Sequence, residues 1–264
     1  MKAMLLAAGL GTRLSPLTSD RPKALVEING RTLLEINLLR LKSFGVTDVI
    51  VNVHHFAQKV VDYLKAQNNF GLRIEISRED DLLLDTGGGL KKAAWFFLQD
   101  VARPDEPFFL HNVDILTNID LAAMLQFHRK HNAIATLATQ QRKTSRPLVF
   151  DLHGQLQGRA NSETPPRSPL ATRHSPLPPG EAKNEFVAAF SGIHVISPRL
   201  LPLLTETGVF SIIDAYIRLA SQGHKILSFP ADQYYWRDLG RPADLTQAAA
   251  DLEKGVVEFP PLHG

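Results

Sequence analysis

The 264-residue sequence contains no cysteine. Disulfides, thiolate zinc sites and cysteine nucleophiles are thereby excluded. It also lacks an excess of either charge: 29 Lys and Arg against 27 Asp and Glu leave a net charge of +2. With a mildly basic isoelectric point of 8.8, so even a balance does not call for a nucleic-acid partner. Long hydrophobic runs are missing as well. The run nearest the amino terminus, Met4 to Ala8, is ended by Gly9, too short for a signal-peptide core or a membrane span. The expectation is a cytoplasmic protein without membrane or nucleic-acid contacts.

Hydrophobic residues make up 44% and charged residues 21%, ordinary globular usage with enough apolar material for a sizeable core. Strand-like and helix-like patterns alternate. Strands are expected at Lys2–Ala8, Asp48–Val53, Leu72–Ile76, Pro107–His111 and Ala133–Thr139. Helices are expected at Thr32–Phe44 with Gly45 as its stop, Ala57–Ala66, Leu90–Leu98 and Asp120–His131. Further on, Phe186–Ile196, Lys225–Phe229 and Tyr234–Asp238 read as strands. Pro198–Leu204 and Pro242–Lys254 read as helices opened by proline. Ser211–Ala220 reads as a helix with Ser211 as N-cap and Asp214 at the capping-box position. The pattern predicts an α/β fold, with a Rossmann-like, mostly parallel sheet flanked by helices and ligands at the carboxyl ends of the strands.

Six of the 17 prolines fall between Pro165 and Pro179. Residues 158–184 hold too little apolar surface to order themselves. They read as a flexible surface insertion within a single domain spanning 1–264.

The first strand runs into Gly9-Leu10-Gly11-Thr12-Arg13. Two glycines let the backbone approach a ligand, and consecutive N–H groups can cradle phosphate oxygens. Arg13 adds a planar cation. Farther on, Pro22 stiffens the approach to Lys23, whose ammonium can reach the same phosphates. A dinucleotide-binding loop would need a third glycine where Leu14 stands, and a helix that Pro16 interrupts. A P-loop would need Gly-Lys-Ser/Thr. A tight turn explains a glycine pair, but leaves Arg13, the prolines and Lys23 without a role.

Ala-Ala-Gly-x-Gly-Thr-Arg-Leu-x-Pro-Leu-Thr followed by Pro-Lys-Ala-Leu resembles the signature of the sugar-1-phosphate nucleotidyltransferases. The resemblance extends over roughly residues 1–254. It implies the nucleotide-diphospho-sugar transferase fold, with a small antiparallel extension on the sugar side. It also implies a nucleoside triphosphate over Leu6, Ala7, Ala8, Gly9, Gly11, Thr12 and Arg13. Lys23 would hold the α-phosphate and Arg13 the departing pyrophosphate.

Asp85-Thr86-Gly87-Gly88-Gly89-Leu90 reads as a loop leaving free N–H groups at a helix start. It is similar to the segment that lies against base and sugar in the branch containing N-acetylmuramate-1-phosphate uridylyltransferases and bacterial mannose-1-phosphate guanylyltransferases. Val51-Asn52-Val53-His54-His55 also looks like that branch, adding Asn52 to the nucleotide side with Thr86, Gly87 and Gly88. The adjacent histidines turn apart at a strand end and do not suggest a metal.

Phe108 to Asp114 is an apolar strand ending in a carboxylate, with Val113 where the family has glycine. Trp236-Arg237-Asp238-Leu239-Gly240 resembles the family's Trp-x-Asp segment. By that resemblance, Asp114 and Asp238 would hold Mg²⁺, a hard cation that takes oxygen ligands. Phe190-Ser191-Gly192-Ile193 looks like the strand beside the sugar, which places Asn112 and Gly192 there. The family's Glu-Lys-Pro contact to the sugar phosphate is absent, and Glu185 is the nearest substitute.

The implied reaction transfers a nucleoside monophosphate from the triphosphate to a sugar-1-phosphate, releasing pyrophosphate. N-acetylmuramate-1-phosphate with UTP is the first expectation, then mannose- or heptose-1-phosphate with GTP. A phosphocholine cytidylyltransferase shares the opening signature but would want an aromatic cage, and 2 Trp and 4 Tyr show no cluster for one. A non-catalytic nucleotide-sensing subunit would have lost a metal aspartate or Lys23.

Overall fold

The structure, a computed structural model, describes residues 1–99, 104–160 and 185–259. The proline-rich stretch from 161 to 184 lies outside the described residues. In chain order the elements begin with β1 (Lys2–Leu6), the two-residue strands β2 (Glu27–Ile28) and β3 (Arg31–Thr32), and α1 (Leu33–Ser43). Then come β4 (Asp48–Val53), α2 (Ala57–Ala66), β5 (Arg73–Arg78), α3 (Asp85–Lys92), α4 (Ala94–Leu98), β6 (Phe108–Asn112), β7 (Ile115–Thr117) and α5 (Leu121–His131). The second half comprises β8 (Ala135–Gln140), β9 (Leu148–Asp151), β10 (Leu156–Arg159), β11 (Glu185–Ile196), α6 (Ile212–Ser221), β12 (Ile226–Pro230), β13 (Trp236–Asp238) and α7 (Pro242–Glu253).

Strands β5, β4, β1 and β6 lie side by side and parallel. Of these, β4, β1 and β6 are covered on both faces, hence their nearly continuous apolar composition, whereas β5 at the edge alternates and is half-exposed. In β1, Ala3 and Leu5 enter one core with α1, α2, α5 and α7, while Met4 points into the other with α3, α4 and α6. Beyond β6 the sheet turns antiparallel through β11, then continues to β8 and β12, which are parallel to each other.

The twelve residues of β11 serve two sheets. Ile193 to Ile196 pair with β6, whereas Glu185 to Ala188 pair with β9, which carries β10 on its other edge. The register against β8 shifts between Phe190 and His194. Gly192 sits in that irregularity at φ +77°, a conformation L side chains rarely adopt. The β9–β10 hairpin with the start of β11 is the antiparallel extension. A second small ribbon pairs β13 with β7.

Several expectations need correction. The helix expected at Leu90–Leu98 begins at Asp85, so the glycine triplet forms its first turns, and it breaks at Ala93. Strands β2, β3, β7, β9 and β10 were not foreseen. Gly158 and Arg159 belong to β10 rather than to an insertion. Ser211 does cap α6, accepting from the Ile213 N–H at 3.3 Å. Asp214, however, turns to Arg159 at 2.8 Å instead of closing a capping box. Among the described residues, no helix is long and apolar enough to cross a membrane.

Candidate active site

The carboxyl ends of β1, β4 and β6 open onto one cleft. β1 stops at Leu6 rather than Ala8, because the Ala7 N–H leaves the ladder for the Asn52 side chain at 2.7 Å. The opposite edge of Asn52 donates to Glu79 at 2.7 Å, and Glu79 accepts from the Leu84 N–H at 2.9 Å. Both Asn52 and Glu79 are buried. This chain of side chains fixes where the loop leaves the sheet. At its far end, Gly11 takes φ +67°, and an added Cβ would stand 3.0–3.1 Å from Thr18 and Lys23. Thr18 returns a hydrogen bond to the Gly11 carbonyl at 2.9 Å. Between these ties, the N–H groups of Ala8, Gly9, Leu10 and Gly11 have no partner among the described residues. Consecutive unpartnered amides form an anion cradle.

Lys23 opens a short 3-10 turn behind Pro22 and is only 7% exposed. Its ammonium rests on the Asp114 carboxylate. Asp238 comes alongside through the β7–β13 ribbon, in which it faces Ile115. The Leu239 N–H donates to the Asp114 carbonyl at 2.8 Å, and the Gly240 N–H to the Asp238 carboxylate at 2.7 Å. Burial, and next the negative charge of Asp114, raise the Asp238 pKa above the ordinary carboxylate value. The Arg13 guanidinium lies beside Gly240 and Asp238: a Cβ on Gly240 would meet its Nη2 at 2.6 Å and Asp238 Oδ1 at 2.7 Å.

Two cavities meet at this point. The first, about 500 Å³, is lined by Leu6, Ala8, Gly9, Gly11, Thr12, Arg13, Lys23, Asn52, Thr86, Asn112 and Asp114 among others. The second, about 730 Å³, is lined by Gly192, Trp236, Asp238 and three arginines, Arg142, Arg146 and Arg159. Asp85, Thr86 and Asn112 line both. Oxygen-only donors on two carboxylates, one raised in pKa by burial and then by the other, fit a hard divalent cation completed by phosphate oxygens and water. Among the described residues, no cluster of three His, Cys, Asp or Glu suggests a metal held by protein alone. The adjacent histidines do turn apart: His54 bonds the Glu79 carbonyl and His55 packs on Phe56.

Four expected site residues lie off the cavity walls: Ala7, whose N–H is spent on Asn52, and Gly87, Gly88 and Glu185. Gly87 and Gly88 face the 208–210 loop, where a Cβ would stand 2.3 Å from the Phe210 ring and 2.5 Å from the Gly208 carbonyl. Their N–H groups are already donated to the Phe210 carbonyl at 2.9 and 3.3 Å, so they are not free for a ligand. Glu185 pairs with Asp151 at the start of β11 and lines neither cavity. The arginines and Glu79 had escaped the sequence reading. An arginine looks like a solvated charge until the topology brings its loop to a cavity, whereas Glu79 ending a half-exposed strand gave no signal.

A loop of open amides, a buried lysine and a carboxylate pair between two cavities fit the handling of phosphate groups. Residues 2–150 match the Nucleotidyl transferase family, and the chain belongs to it. It is 33% identical over 258 residues to the N-acetylmuramate alpha-1-phosphate uridylyltransferase of Caulobacter vibrioides, covering 95% of this chain and 96% of that one. It is 28% identical to the mannose-1-phosphate guanyltransferase of Yarrowia lipolytica over 92% of this chain, spanning 62% of that relative's length. A UDP-glucose pyrophosphorylase solved with UDP-glucose shares the fold, with a TM-score of 0.73 at 17% identity over 96% of this chain and 98% of that one. The inositol-1-phosphate CTP transferase from T. maritima does so at 0.67 and 19%, over 97% of each chain.

Proposed function

We propose that the chain is a cytoplasmic, single-domain enzyme that transfers UMP from UTP to N-acetylmuramate-1-phosphate, giving the UDP-sugar and pyrophosphate. The observation that carries the reaction class is the position of Lys23, Asp114 and Asp238 at the seam between the two cavities. The choice of base and sugar rests on the Caulobacter relative. A sugar bearing a carboxylate also suits a cavity lined by the exposed Arg146. Choline is disfavoured, because the Arg142 guanidinium already lies on the Trp236 ring, 3.6 Å from its centroid.

The triphosphate lies over the open amides of Ala8 to Gly11, with Lys23 on the α-phosphate and Arg13 on the β- and γ-phosphates. An oxygen of the sugar phosphate attacks the α-phosphorus in line, and the bond to the pyrophosphate oxygen breaks. The attacking group is already an anion near neutral pH, so no side chain need act as base. Lys23 and the loop amides stabilise charge on the five-coordinate phosphorus and the leaving group, so catalysis is positioning plus charge neutralisation. Asp114 and Asp238 would hold Mg²⁺, which when bound neutralises charge on the reacting phosphates.

The test is pyrophosphate release with Mg²⁺, for UTP, GTP, CTP and dTTP against N-acetylmuramate, N-acetylglucosamine, glucose, mannose and heptose phosphates, with phosphocholine as control. UTP with N-acetylmuramate-1-phosphate is expected to be fastest. Preference for GTP with mannose-1-phosphate would move the chain to the guanylyl branch, and a blank grid would overturn the reading.

A further inference from the structure

The sugar-side cavity contains a cation, Arg142, that makes no ion pair with a carboxylate among the described residues; Asp238 acts on it only through its charge. Arg142 follows the end of β8 and is half-buried. Its guanidinium stacks on Trp236 and donates from Nη2 to the Phe190 carbonyl at 2.7 Å. Trp236 is itself tied to β11 by its indole N–H, which donates to the Ser191 carbonyl at 2.7 Å. The arginine is therefore held in place rather than swinging in solvent. Its Nε is buried without any partner, and no carboxylate lies within ion-pair distance among the described residues. A guanidinium fixed in this way, with part of its donor fork unused, is an arrangement that awaits an anion.

Its position identifies that anion. Trp236 and Asp238 alternate with Arg237 along β13, so they share one face, about 7 Å apart. Arg142 and Asp238 line the same cavity, whereas the glycine loop lines the other. An anion on Arg142 thus lies on the sugar side, beside the Asp114–Asp238 pair. We infer that Arg142 binds the phosphate of the sugar-1-phosphate acceptor, supplying from the end of β8 the contact for which this chain has no Glu-Lys-Pro segment. Arg159 is a weaker candidate because Asp214 already holds it. Arg146 has only solvent-exposed reach.

This inference rests on the nucleotidyltransferase reading and fails separately from it. The measurement is steady-state kinetics of pyrophosphate release for the wild type, Arg142→Gln and Arg142→Lys, varying UTP and acceptor in turn. Arg142→Gln should raise the acceptor KM about 10- to 100-fold while leaving the UTP KM within about 2-fold, the loss of one charge-assisted hydrogen-bonded contact. Arg142→Lys keeps the charge but not the planar fork, so its acceptor KM should fall between the two. If the glutamine variant does not fold, the lysine variant alone decides. An acceptor KM matching wild type in the folded variants overturns the inference. So does an equal rise in both KM values, which would mark a general disturbance through Trp236. An inactive wild type would instead overturn the parent reading.

Discussion

Lys23 and Asp114 form an ion pair in the cleft, with the lysine almost wholly buried. Replacing Lys23 with Ala should lower kcat by about 10²- to 10³-fold, the usual effect of removing one preorganised group that stabilises developing charge. Circular dichroism should show the fold intact. Asp238 behaves differently. Its carboxyl has a raised pKa because burial and Asp114 disfavour its charge. Ionised Asp238 therefore opposes folding once the pH exceeds its folded pKa, and the penalty vanishes as the group protonates. Asp238→Asn should accordingly melt higher than wild type at pH 7, lose that advantage as the pH falls through the raised value, and be inactive throughout. Thermal melts at several pH values, run without divalent cation, would check this; a lower melting point at pH 7 would contradict it. At the cavity rim, Arg146→Ala should reduce kcat/KM for N-acetylmuramate-1-phosphate more than for N-acetylglucosamine-1-phosphate, which lacks the carboxylate. A difference of about 2- to 5-fold is expected for one exposed charged contact.

The first two glycines of helix α3 carry their meaning in packing rather than in ligand contact, whereas Asp85 and Thr86 ahead of them line the cavities. Gly87 meets the Phe210 ring and Gly88 the Gly208 carbonyl, and both N–H groups are spent on Phe210. Gly87→Ala should destabilise the protein by about 1–3 kcal/mol, the usual effect of overpacking, seen as a lower urea midpoint. Its UTP affinity, measured where it is folded, should stay near wild type. A lost affinity with unchanged stability would return the glycines to the nucleotide. Such a role was hard to read in advance, because three consecutive glycines look like a loop and lower helix propensity. Strands β1, β4 and β6 were legible, since each is a short apolar run ending at a distinctive residue. Lys23 stood out by its place in the long opening signature, and Asp114 and Asp238 as carboxylates at or near strand ends in two separate family-like segments. Strands β9 and β10, four residues each around the Asp151 to Gly154 turn, were too short for their alternation to stand out. Arg142 became visible only when β8, β11 and β13 met around it.

At the scale of the whole molecule, three histidines among the described residues are kept neutral by burial. Burial, the largest effect in each, holds His111 and His128 down to about 4 and His194 to about 3. His128 bonds Thr136 at 2.9 Å, and His194 shares a hydrogen bond with the Tyr216 hydroxyl at 3.1 Å. Below the ordinary value near 6.5 the unfolded chain takes up protons that the native state refuses. Stability is therefore complete above that value and declines as the pH falls toward 4. Each histidine contributes a slope of up to about 1.4 kcal/mol per pH unit. Urea titrations at pH 7, 6 and 5 should show a falling midpoint, and His194→Gln should show a shallower fall. The phosphate loop has a consequence of a different kind. Asn52 holds its entry through Ala7, and Thr18 holds its exit through Gly11. On the proposed reading, a triphosphate arriving there would meet donors already aimed, and little chain freedom would be left to lose. Calorimetry of UTP binding should thus record a small entropic penalty from the protein, and Asn52→Ala should weaken binding mainly through entropy, by releasing a backbone that the native side chain keeps still.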